Sequence, residues 1–180
     1  MNNGQTRRSF LIGSTIAGST LLMSGTAIAS QPKRLRFLNL HTGERADAEY
    51  RIGDTFQADA LAAFDRLLRD HRTGEIYETD RTLFDALHRL AGVLETNQPF
   101  HVISGYRSPG TNAILANRSG GVARNSFHQW GMAIDLRVPG RSLDAVYRAA
   151  RSLQAGGVGK YRRSNFVHVD TGRVRYWRQG

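Results

Sequence analysis

A chain of 180 residues with a formal net charge of +10 is the size of one ordinary domain, large enough to bury a single core. With 40% apolar and 22% charged residues, it is neither a disordered chain nor a multi-span membrane protein. It has no cysteine, which excludes a disulfide framework, a thiolate metal site, a cysteine nucleophile and a lipidated cysteine anchor. Any metal must therefore be held by histidine and carboxylate.

The first 29 residues read as an export leader. Arg7-Arg8 precedes Ser9-Phe10-Leu11 and an apolar stretch, spaced by Gly, Ser and Thr, that runs to Ile28 without an acidic residue. Ala27-Ile28-Ala29 is a small-x-small cleavage site. Residues 6–11 resemble the twin-arginine motif, so a periplasmic protein beginning near Ser30 is expected, with no membrane span after cleavage; an uncleaved membrane anchor is the alternative. Removing residues 1–29 leaves 23 basic and 15 acidic side chains, a net +8. Outside the cytoplasm such a charge meets an anionic wall rather than nucleic acid, and no nucleic-acid recognition motif accompanies it. An arginine-rich surface without a role accounts for the charge equally well.

In residues 30–180, taken as one domain, Leu35–Leu40 reads as a strand followed by a turn at Thr42-Gly43. Leu61, Phe64, Leu67 and Leu68 mark a helix within 57–71, and a second, capped by Asp80, spans 80–95. Pro99 ends it, and Phe100–Ile103 is a short strand. Ser104–Asn125 is loop-rich, with a short helix between Thr111 and Asn117. Met132–Val138 alternates as a half-buried strand, and Ser142 caps a helix with Leu143, Val146, Tyr147, Ala150 and Leu153 on its core face. Strands near Phe166–Asp170 and Arg173–Trp177 follow, joined by Thr171-Gly172. Helices early and strands late predict an α+β fold with a small antiparallel sheet.

Of six histidines, His71 and His88 read as surface residues, and His41 and His101 have no partner pattern. His128 and His168 differ. Asp135 lies on the polar side of its strand, and His168 and Asp170 share the face opposite Val167 and Val169. If the two strands are antiparallel neighbours, His168 meets Asp135, with His128 just before the first strand. Three such ligands with a fourth position open suit a catalytic zinc, which lowers the pKa of its water and polarises a carbonyl. On spacing alone, unrelated surface or core residues remain an alternative.

Ser126-x-His128-x-x-Gly131-x-Ala133-x-Asp135 resembles the signature of the zinc D-Ala-D-Ala peptidases, which share their fold with the Hedgehog signalling domain. Ser104-Gly105-Tyr106-Arg107-Ser108 resembles the upstream element of that family. Phe166-Val167-His168-Val169-Asp170-x-Gly172-x-Val174-Arg175-x-Trp177 is similar to the ending of its YcbK-like (MepK) murein endopeptidase branch. The resemblance covers roughly residues 33–177. It implies helices packed on one face of the sheet and a zinc metallopeptidase, a peptidoglycan endopeptidase or a D,D-carboxypeptidase, that cuts a cross-link or terminal amide of peptidoglycan with zinc-activated water. It implies His128, Asp135 and His168 as zinc ligands, Arg107 on a carbonyl or carboxylate oxygen, and Ser126 lining the substrate site. Asn165 stands where many members carry an acidic base. Asp170 is the substitute candidate for that catalytic role, or else a partner that holds the His168 ring. A non-catalytic module that binds wall peptide or a protein is the alternative function.

Overall fold

The computed structural model describes residue 1, residues 31–118 and residues 122–180. The leader expected over 1–29 lies outside the described residues, residue 1 apart. The strands are β1 (Lys33–Asn39), β2 (Arg45–Ile52), β3 (Thr55–Phe56), β4 (Phe100–Ser104), β5 (Ala133–Arg137), β6 (Gly157–Tyr161), β7 (Phe166–Asp170) and β8 (Arg175–Gln179). The helices are α1 (Ala58–Leu67), α2 (Arg81–Val93), α3 (Pro109–Arg118) and α4 (Leu143–Ser152), with a 3₁₀ turn at Phe127–Trp130. Among the described residues, no helix is long and apolar enough to cross a membrane.

The α+β class stands, and the sheet is larger than the sequence suggests. Its eight strands run in the order β3-β2-β1-β4-β5-β7-β6-β8. Five of its seven junctions are antiparallel, while β1–β4 and β6–β8 are parallel. Parallel neighbours need a crossover, which α1 and α2 supply between β1 and β4. The last two strands are not a hairpin. β8 passes over β7 and pairs with β6, Trp177 opposite Gly159.

Local signals explain the helices. The Asp80 side chain accepts from the Thr82 N–H at 2.9 Å, and Ser142 accepts from the Ala145 N–H at 3.2 Å. The inner face of α2 carries Leu83, Phe84, Leu87 and Leu90, all buried. With Phe37 and Tyr50 from the sheet and Phe64 from α1, they form the centre of the core. The Phe37 and Phe64 rings meet edge to face at 5.0 Å. Each such buried side chain stabilises the fold by roughly 1.5–3 kcal/mol.

Strand alternation then separates core from site. Ile134, Leu136, Val167 and Val169 join the helix-covered core. The two-residue period sends Asp135, His168 and Asp170 to the opposite face. The expected packing of helices on one face is what leaves that second face available.

Candidate metal centre

Three segments bring one ligand atom each to a single point. Asp135 lies directly opposite His168 in the β5–β7 ladder, so both side chains rise side by side. His128 comes from the 3₁₀ turn just before β5. The turn closes on Gly131, whose φ is +62°, and a side chain there would also strike the Glu78 carbonyl at 2.4 Å. Glycine is therefore required twice over at the point that aims His128.

His128 Nε2 lies 3.2 Å from His168 Nδ1 and 3.2 Å from Asp135 Oδ1. His168 Nδ1 is 2.8 Å from the same oxygen. Two ligands about 2.05 Å from a tetrahedral zinc would stand about 3.3 Å apart, so this spacing fits. The far sides of the rings fix the tautomers. His128 Nδ1 lies 2.6 Å from the Gly105 carbonyl, which only accepts, so this nitrogen carries the proton. His168 Nε2 likewise donates to Asp170 Oδ2 at 3.0 Å. Both lone pairs then face Asp135 and each other, an arrangement that calls for a cation between them. All three side chains are buried. Burial lowers the His128 pKa. For His168, burial is outweighed by hydrogen bonds to Asp135 and Asp170, and its pKa rises. Burial alone would raise Asp135, but the two imidazoles hold it well below the usual carboxylate range.

Asp170 is saturated. Besides His168, it accepts both outer nitrogens of Arg175, at 3.0 and 2.7 Å, and the N–H groups of Gly157 and Gly172, at 3.0 and 2.9 Å. Burial opposes its charge, but the His168 and Arg175 hydrogen bonds prevail, and its pKa lies far below the ordinary value. It sits at the edge of the His168 ring away from Asp135. Asn165 is in the β6–β7 turn, where its carbonyl accepts from Arg137.

A cleft of about 850 Å³ opens over the cluster, lined by Arg107, Ser126, Phe127, Tyr161 and Trp177 among others. Asp135 is the one carboxylate among the described residues that line it. Arg107 is buried, its nearest approach to Asp135 is 3.7 Å, and its Nε–H has no partner. Arg107 lines the cleft, and its outer guanidinium nitrogens are donors that a ligand oxygen could meet there. Asp70 holds its turn, accepting the Ser108 N–H and hydroxyl at 3.0 and 2.9 Å. These and other hydrogen bonds outweigh burial and bring Asp70 down to about 2. Ser126 lines the cleft, but its side chain does not cap the 3₁₀ turn. His101 stays outside the cluster, and His41 stacks on His71 at 3.9 Å, a pairing that no pattern predicts.

Sequence reasoning missed Asp70, Tyr161 and the roles of Arg175 and Trp177. The last two lie in the quoted C-terminal motif, which signalled their importance but not their contacts. Asp70 and Tyr161 carried no local signal, because each acts across a long loop or a neighbouring strand.

This fold and site define a metallopeptidase. The chain belongs to the peptidase family described as peptidoglycan L,D-endopeptidase MepK, whose model matches residues 27–177. It is 42% identical over 174 residues to the peptidoglycan L,D-endopeptidase MepK of Escherichia coli K12, covering 95% of this chain and 96% of that protein. It is 41% identical over 179 residues to the probable peptidoglycan L,D-endopeptidase MepK of Haemophilus influenzae, covering 97% of this chain and 96% of that one.

Proposed function

We propose that the protein hydrolyses amide bonds in peptidoglycan cross-links, of the L,D class named for its relatives, in the periplasm. The convergence of His128 Nε2, His168 Nδ1 and Asp135 Oδ1 at the floor of a cleft carries this reading. These three residues would hold zinc. The chemistry a bound zinc supplies is Lewis acidity at neutral pH.

The chain's own groups do the rest. Asp170 and the Gly105 carbonyl lock the two rings by their outer nitrogens, so the ligands need not reorganise. We assign Asp170 to this positioning role rather than to proton transfer, because its lone pairs are occupied and its basicity is low. The Arg107 guanidinium takes a substrate oxygen, and Ser126 lines the same approach. Arg173 adds positive charge to the cleft, while Arg175 is paired with Asp170, and this suits a peptide that carries carboxylates.

The test is mass spectrometry of purified cross-linked muropeptides after incubation with the mature, zinc-loaded protein. Monomer release that stops with a chelator and returns with zinc is expected. Binding without any release favours the alternative of a non-catalytic wall-binding module.

The leader is part of the same proposal. Residues 1–29 would direct twin-arginine export, with the mature chain starting near Ser30. Replacing Arg7 and Arg8 by lysines should leave the precursor in the cytoplasm, as fractionation and immunoblotting would reveal. Unchanged export of that variant would contradict this route and leave the enzymatic reading intact.

A further inference from the structure

The cleft holds a second donor whose proton meets no acceptor. The Tyr161 hydroxyl oxygen accepts the Trp177 indole N–H at 3.1 Å. Indole is a donor only, so the phenolic proton cannot return along that contact. Among the described residues no acceptor takes it. The phenol is also fixed in place. Its ring stacks on Phe166 at 4.5 Å and 19°. Trp177 in turn lies over Gly159, where a Cβ would come within 2.3 Å of the indole, and packs on His168 at 5.3 Å. Tyr161, Arg107 and the ligands Asp135 and His168 line one cleft. The Tyr161 phenol and the Arg107 guanidinium thus line the same cleft as two of the candidate metal ligands.

We infer that Tyr161 is a catalytic residue whose O–H donates a hydrogen bond to the carbonyl oxygen of the scissile amide, sharing its developing negative charge with Arg107. This rests on the endopeptidase reading. No bond changes at Tyr161: the water oxygen joins the carbonyl carbon, the C–N bond breaks, one water proton passes to the leaving amine nitrogen, and the phenol keeps its own proton throughout. Burial raises the phenol's pKa, more than the Trp177 hydrogen bond and Arg107 lower it, so at neutral pH it is a donor and not a base. Such a donor acts through preorganisation, and the stacked ring and the indole provide it. Trp177 is then a positioning residue that works through Tyr161.

The experiment uses the zinc-loaded mature protein and its Tyr161→Phe variant, which keeps the ring and loses only the hydroxyl. Turnover of a cross-linked muropeptide should fall roughly 10²–10³-fold in kcat, with KM and zinc content nearly unchanged. A phosphinate isostere, with tetrahedral phosphorus in place of the scissile carbonyl, should bind the variant weaker by a similar factor. Trp177→Phe should lose about tenfold in kcat by misplacing the phenol, and should add no further loss in the Tyr161→Phe background. Equal phosphinate affinity in parent and Tyr161→Phe overturns the assignment, whatever the parent's turnover. A parent that neither cleaves the muropeptide nor binds the phosphinate overturns the endopeptidase reading and this one with it. A parent that does both, beside a variant within about threefold of it in kcat, overturns this one alone.

Discussion

Replacing His168 by alanine should strip zinc and turnover from the protein together. The ring supplies Nδ1 to the cluster and is the group through which Asp170 reaches it. Without it, only His128 and Asp135 remain, too few to hold a catalytic metal. Elemental analysis after dialysis should drop from about one zinc per chain to a small fraction. Muropeptide cleavage should fall roughly 10³-fold or more, since the metal's several kcal/mol of transition-state stabilisation disappear with it. His168 is the cleaner target of the two histidines. Asp170 keeps Arg175 when His168 is gone, whereas removing His128 leaves the buried Gly105 carbonyl unpaired, at about 1–3 kcal/mol. His128→Ala should therefore lose metal and also melt earlier. Full zinc retention in both variants would abolish the proposed centre.

The second large effect belongs to Asp170→Asn, and its sign distinguishes two mechanisms. An amide in place of the carboxylate weakens the hold on His168 Nε2 and on Arg175. A residue that orients a ligand ring should then cost roughly 10–100-fold in zinc affinity. With zinc in excess, cleavage should return close to the parent rate. A general base behaves otherwise: its loss costs about 10²–10⁴ in rate and added metal does not restore it. Zinc titration and cleavage assays on one preparation separate these outcomes. A deficit that persists at saturating zinc would return Asp170 to the role of base.

The meeting of Asp135 with His168 was legible because both strands alternate cleanly. Ile134, Leu136, Val167 and Val169 mark one face so strongly that the polar residues must share the other. Helices α2 and α4 were legible for a similar reason, with Asp80 and Ser142 as caps. Strand β2 was not, because its inward positions Ala46 and Ala48 are too small to set a pattern before Tyr50. Strand β6 reads as a loop, since Gly157 and Gly159 leave room for Arg175 and Trp177 instead of carrying side chains. With β6 hidden, the parallel placement of β8 and the contact between Tyr161 and Trp177 could not be foreseen. The candidate metal ligands were therefore visible as a motif, and the residues that brace them emerged only from the sheet order.

That sheet order also governs when the site comes into being during synthesis. Arg175 and Trp177 lie on β8, the latest strand in the sequence, docked at the outer edge beside β6. Thr171 reaches back 91 residues to Asp80, and His168 33 residues to Asp135. Contacts of such separation close slowly and late. A nascent chain with β8 still inside the ribosome has all three ligands in its sequence, yet neither the arginine that neutralises Asp170 nor the indole that braces Tyr161. The proposed hydrolytic site would thus be completed only once β8 has emerged and docked, after the aromatic core of β1, β2, α1 and α2 has had time to form.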